Sequence, residues 1–192
     1  FSFRSSIPFL TTTLLSQHIH GSRHTSATAA HMPSSTLAAS SHSSLVCAPP
    51  PRQKPTQIAG TAYEAVYVHK KGKYYYLFAS IGSCCQGEKS TYTTVVGRSE
   101  SLFGPYMDKN GNSMLDNHHE VVIHPNASFA GTGHNAEIMT DKKGDDWILY
   151  HAYIRDKAKQ GRVVMLDRIH WKKGWPYVEG NMPSNEAQAP KF

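Results

Sequence analysis

From about residue 58 onward, apolar and polar positions alternate in runs of five to eight residues, broken by turns containing Gly, Asn or Asp. Runs of this length and period predict strands. They fall at 63–69, 73–80, 91–99, 119–124, 134–140, 146–153, 161–170 and 175–178, and no segment carries a convincing helical period. The strands form two groups of four, about seventy residues apart. The first group opens Tyr63-Glu64-Ala65-Val66-Tyr67-Val68, turns at Lys71-Gly72-Lys73 and returns as Tyr74-Tyr75-Tyr76-Leu77-Phe78. The second opens Gly133-His134-Asn135-Ala136-Glu137-Ile138, turns at Lys143-Gly144-Asp145 and returns as Trp147-Ile148-Leu149-Tyr150-His151. An all-strand unit repeated at fixed spacing predicts an all-β radial array, here about two blades of a β-propeller.

Residues 1–57 have another texture. They are crowded with Ser, Thr, Ala and His, close with Ala48-Pro49-Pro50-Pro51, and hold no sustained period, which predicts a disordered leader ahead of a folded region over 58–192. The chain begins with Phe1, which suggests a fragment or a processed product. Arg4 followed by Ile7-Pro8-Phe9-Leu10 resembles a secretory signal, while the Ser-rich, acid-free composition resembles an organelle-targeting peptide; both readings stay open. The scattered histidines of this segment are expected to be solvated.

The net charge of +6 changes the picture little. Residues 1–63 hold four bases (Arg4, Arg23, Arg52, Lys54) and no acid, so the remainder, with sixteen bases against fourteen acids, is nearly balanced. A clustered basic face is missing, which argues against nucleic acid as a partner. No apolar run approaches the roughly eighteen residues a membrane helix needs, so no membrane partner is expected. Three cysteines make no disulfide framework. Cys84 and Cys85 read as two strand-end thiols facing opposite ways, with a vicinal disulfide as the alternative.

In a propeller the first strand of each blade borders the central channel. Glu64 and His134 open the two units and so occupy equivalent places. Small neighbours flank both: Ala62 and Ala65 for one, Gly131, Gly133 and Ala136 for the other. A carboxylate half-enclosed by Tyr63, Tyr67 and Phe78 would favour its neutral form and suit general-acid work; the bland alternative is a solvated strand carboxylate. His134 reads either as a structural histidine or as a channel ligand for a metal or substrate. Its glycine-rich approach leads into a strand and so is no phosphate loop. His118-His119-Glu120 reads as a loop-to-strand transition, because strand neighbours face opposite ways. His151 reads as a packed or hydrogen-bonded residue, and Asp145, Asp146, Asp156 and Asp167 as turn or surface acids.

An ordered series of motifs then resembles one family. It comprises Glu64-Ala65, Tyr74–Phe78, Ser83-Cys84-Cys85-Gln86-Gly87, Ser90-Thr91-Tyr92, Val96-Gly97-Arg98-Ser99, Gly104-Pro105-Tyr106, Gly131-Thr132-Gly133-His134-Asn135, Trp147–Tyr153 and Gly174-Trp175-Pro176-Tyr177. Together they resemble the family 43 glycoside hydrolases, and most of all the arabinan endo-1,5-α-L-arabinosidases, from about residue 60 to the end. Thr132 departs from the family's more usual Pro. The resemblance implies a five-bladed β-propeller and inverting hydrolysis of α-1,5-L-arabinofuranosidic bonds in arabinan or arabino-oligosaccharides. It implies Glu64 as the general acid, Tyr63 and Tyr92 as substrate-lining residues, and His134 as a water-mediated ligand of calcium, with no organic cofactor. It implies secretion.

The family's base and tuning aspartates belong to earlier blades, and residues 1–63 contain no Asp. The chain is therefore expected to be a C-terminal part, inactive alone, and to self-associate through exposed blade faces. The alternatives are a non-catalytic carbohydrate-binding or structural remnant, and a family 43 xylosidase or exo-arabinofuranosidase.

Overall fold

The computed structural model describes residues 54–192, and the expected leader over 1–57 lies almost wholly outside the described residues. Alternation dictates the central elements. Strand β2 (Tyr74–Ile81) sends Tyr76 and Phe78 to one face and Leu77 and Ala79 to the other, and all four are buried. A strand apolar on both faces is stable only in the middle of a covered sheet. β1 (Glu64–Lys71) and β3 (Thr93–Ser99) pair antiparallel on its two sides, and β4 (Glu120–Ile123) closes the group on β3.

The second group repeats the plan around β7 (Asp146–Ile154), which pairs antiparallel with β8 (Val163–Lys172), itself paired to β9 (Trp175–Tyr177). Its inner strand is divided into β5 (Phe129–Gly133) and β6 (Ile138–Thr140), both paired with β7. Eight strands were expected and nine are present among the described residues. The difference is β5, whose glycines weaken the strand pattern in sequence while letting the backbone pack closely. These are two blades of a β-propeller, each a sheet four strand positions wide, with only short 3-10 turns besides among the described residues.

The blades meet face to face. Tyr76, Phe78, Val96, Val122 and Ile123 of the first pack against Ile138, Ile148, Tyr150, Ile169, Trp175 and Val178 of the second. A parallel contact, Thr93 with Thr132, joins them near the inner end. The other face of the first blade, with Leu77, Ala79 and Val95, is covered by Tyr106 and Met114 and by the chain around Ile58, Ala59 and Tyr63.

Two buried acids brace the second blade, where turn or surface acids were expected. Asp146 and Asp167 are each only 2% exposed. Asp146 accepts from Thr140 Oγ1 (2.7 Å), Trp171 Nε1 (2.7 Å) and Lys71 Nζ. Burial alone would raise its carboxyl pKa, but these donors outweigh burial and hold it below the usual range. Asp167 accepts from Tyr150 Oη (2.6 Å) and the Ser184 hydroxyl. Sequence cannot show this, because an Asp beside a turn looks the same whether solvent or a donor network surrounds it. Asp145, by contrast, is a turn acid paired with Arg168.

Candidate functional site

Both residues that open the repeats sit at breaks in the inner strands. Between Glu64 and Tyr67 strand β1 advances three residues while β2 recedes two, from Ser80 to Phe78. That is a bulge, and Ala65 adopts a φ of 49°. In the second blade the chain spends five residues from Gly133 to Ile138 against three from His151 to Ile148, and His134 itself has a φ of 55°. Left-handed backbone at a non-glycine costs about 1–3 kcal/mol and clusters at functional sites. Here the breaks turn the side chains of Glu64 and His134 out of the ladder, and both are exposed. One buried serine ties the two breaks together: Ser80 is the strand partner of Glu64, and its hydroxyl accepts the His134 amide at 2.8 Å.

Tyr92 enters beside them from the start of β3. It is buried, and its hydroxyl donates to Glu64 Oε2 at 3.1 Å. Its ring lies on Gly133, where a Cβ would fall 2.5 Å from ring carbon Cδ1, so only glycine fits that approach. The ring stacks on His151 at 6.0 Å, and the His151 ring lies 5.6 Å from that of His134. Arg162 Nη1 stands 3.2 Å from His151 Nε2. A guanidinium only donates, so Nε2 accepts and the imidazole is neutral with its proton on Nδ1. Burial first, then the neighbouring Arg162 and His134, push the His151 pKa down, in keeping with that state. Burial likewise pushes the Tyr92 phenol up; the Glu64 carboxylate adds to this, while a hydrogen bond with Ser80 opposes it. Tyr92 therefore stays a neutral donor.

The structure thus brings Glu64, Tyr92 and His134 into one chain of contacts and adds Ser80, His151 and Arg162. His151 was expected to be packed or hydrogen-bonded, and it is both; its place in the site is invisible in sequence because the stacking runs across the blade boundary. Tyr63 is not brought in. It faces the other way from Glu64, as strand neighbours do, and its hydroxyl lies 3.0 Å from both the His118 carbonyl and His119 Nδ1. The expected aromatic enclosure of Glu64 is also absent, since Phe78 belongs to the core and the carboxylate is exposed. His118-His119-Glu120 is the loop entering β4, as the pattern predicts.

Cys84 and Cys85 form a vicinal disulfide, not two opposed strand-end thiols. They lie in the bends after β2, where strand alternation no longer applies. Calcium takes six to eight oxygen ligands, and among the described residues no group of three or more His, Cys, Asp or Glu is gathered to hold a metal.

A groove of about 1120 Å³ lies elsewhere, between β4 and β9, lined by Lys109, His119, Glu120, Lys172, Trp175 and Tyr177 among others. It takes in His119 and Glu120 but none of Glu64, Ser80, Tyr92, His134, His151 and Arg162. The chemistry favours the smaller rim site: an exposed carboxylate with a neutral phenol donor, beside two imidazoles and a guanidinium, can exchange a proton and bind hydroxyl-rich ligands.

Comparison with known proteins adds independent findings. The model of the family "Glycosyl hydrolases family 43" matches residues 14–176, a stretch that begins within the segment read as a leader. An extracellular exo-α-(1→5)-L-arabinofuranosidase of Cellvibrio japonicus is 39% identical over 125 residues, covering 65% of this chain and 35% of that protein. An extracellular endo-α-(1→5)-L-arabinanase of Bacillus subtilis is 34% identical, covering 61% and 34%. Among solved structures, the α-L-arabinanase of Cellvibrio cellulosa complexed with arabinohexaose superposes with a TM-score of 0.58 at 39% identity, over 62% of this chain and 38% of that one. The chain spans about a third of the length of these curated relatives.

Proposed function

Since the chain belongs to glycosyl hydrolases family 43, and carries two blades of that family's five-bladed propeller, we propose that it is the acid-bearing part of an arabinan hydrolase. The observation that carries this is Glu64 at a strand break, bonded to a buried tyrosine and tied through Ser80 to His134. In inverting hydrolysis a protonated carboxyl gives its proton to the leaving oxygen, while a second carboxylate roughly 6.5–9.5 Å away activates water. Tyr92 donates to Oε2 of Glu64, which leaves Oε1 to carry the proton and stabilises the carboxylate once the proton has gone. His151, kept neutral by burial and by Arg162, packs on Tyr92 and fixes that donor. Arabinan or arabino-oligosaccharide is the proposed substrate, and secretion the proposed route, both supported by the relatives' printed names.

The general base is proposed to lie outside these 192 residues, and the chain alone is proposed to lack turnover. The test joins residues 54–192 to the N-terminal blades of an arabinanase and measures reducing-sugar release from debranched arabinan. The hybrid should be active, and Glu64→Ala should lower its rate by about a hundred- to ten-thousand-fold. Full activity after Glu64→Ala overturns the assignment. Calcium near His134, held through waters, is a separate proposal, which calorimetric titration with calcium chloride tests.

Among the described residues Glu64 is the one carboxylate brought into the site, which favours a second reading, a non-catalytic carbohydrate-binding remnant. Arabino-oligosaccharide binding by the hybrid without turnover would favour it, and turnover would dismiss it.

A further inference from the structure

The turn that carries Cys84 and Cys85 is fastened at both ends to the segment that delivers Tyr92. On one side, the Ser83 carbonyl accepts from the backbone amides of Thr91 (3.1 Å) and Tyr92 (3.0 Å), and the Ser83 amide donates to Thr91 Oγ1 at 3.0 Å. On the other, the Gln86 amide donates to the Ser90 hydroxyl at 2.9 Å. Ser90 in turn lies against Gly131, where an added Cβ would fall 2.7 Å from its own Cβ. The disulfide sits between these two anchors and closes a small ring through the peptide bond between the cysteines. Cys84 is half-buried and Cys85 exposed, so the bond is open to a soluble thiol. Nothing in the proposed hydrolysis uses it.

We infer that the Cys84–Cys85 disulfide is a reducible latch that sets the position of Tyr92 against Glu64. A small dithiol supplies the electrons. Its thiolate attacks Sγ of Cys85, forming a mixed disulfide and expelling the Cys84 thiolate. The reagent's second thiolate then closes its own ring and releases Cys85. Two electrons pass to the protein, the two thiolates take up protons, and the reagent leaves as a cyclic disulfide. With the ring open, the Cys84–Cys85 peptide regains free rotation about its neighbouring bonds. The Ser83 and Gln86 anchors are no longer held at a fixed spacing, and the backbone at Tyr92 loses its template.

The test uses the full chain with Cys47→Ser, so that only this pair can titrate. Thiol titration should find none before dithiothreitol and both Cys84 and Cys85 after it. With ring-labelled tyrosine, the NMR signal assigned to Tyr92 by Tyr92→Phe should shift on reduction and return on reoxidation. The signals of Tyr106 and Tyr150, buried in the cores on the two faces of the first blade, should stay. A Cys84→Ala/Cys85→Ala variant should show the shifted signal without reductant and ignore reductant when added. Three results overturn the inference: free thiols before reduction, a Tyr92 signal unmoved after it, or movement of Tyr106 and Tyr150 together with Tyr92, which would mean general loosening. No sugar enters the measurement, so its failure leaves the hydrolase reading untouched.

Discussion

Gly133→Ala is the most informative single change, because one methyl group probes the packing of the whole site. Gly133 is extended backbone, so alanine imposes no conformational penalty of its own; the added Cβ meets the Tyr92 ring at 2.5 Å and 2.9 Å. Tyr92 cannot simply yield, since its ring is buried against His151 and its hydroxyl is engaged by Glu64. Overpacking of this kind costs about 1–3 kcal/mol. Gly→Ala recovers roughly 0.4–1 kcal/mol by stiffening the unfolded chain. The net loss is about 1–2 kcal/mol, a fall in Tm of roughly 2–8 °C for a domain of this size. Thermal unfolding followed by circular dichroism reads it. Adding Tyr92→Leu removes the ring, so the double variant should lose less than the two single losses together. A Gly133→Ala protein as stable as its parent, or strictly additive losses, would refute the close approach and with it the placement of Tyr92.

Other outcomes follow from the same geometry. His69, His119 and His151 all have pKa values lowered first by burial. The unfolded chain therefore binds more protons than the folded one once pH falls below about 6.5, and stability should drop from there toward each folded value; melts between pH 5 and 7.5 should show this, and His151→Asn should flatten the slope. Asp146→Ala strands the Trp171 and Thr140 donors and should cost about 1–3 kcal/mol by chemical denaturation, discounted because Lys71 can turn to water. Val164 is 72% exposed on β8 and Val66 58% on β1; sedimentation should show self-association of the chain, reduced by Val164→Asp. A monomer at high concentration would count against exposed blade faces as the cause.

Alternation along the chain was enough to determine the blades. Tyr76/Phe78 and Leu77/Ala79 are apolar in opposite phases, and that demands a central strand covered on both sides. The repeat itself marked Glu64 and His134 as equivalent, because a blade is a local unit whose strands follow one another in sequence. Tertiary structure decided the rest. The family resemblance implied both Tyr92 and Tyr63, and only Tyr92 lies against Glu64, because a bulge, not a period, sets which way Glu64 points. His151, Arg162 and Ser80 act there through contacts across strands and blades that no spacing encodes. Asp146 and Asp167 became buried anchors for the same reason: a side chain's partners depend on which distant segments pack beside it, whereas the Cys84–Cys85 bond joins neighbours and was one of the two readings the sequence left open.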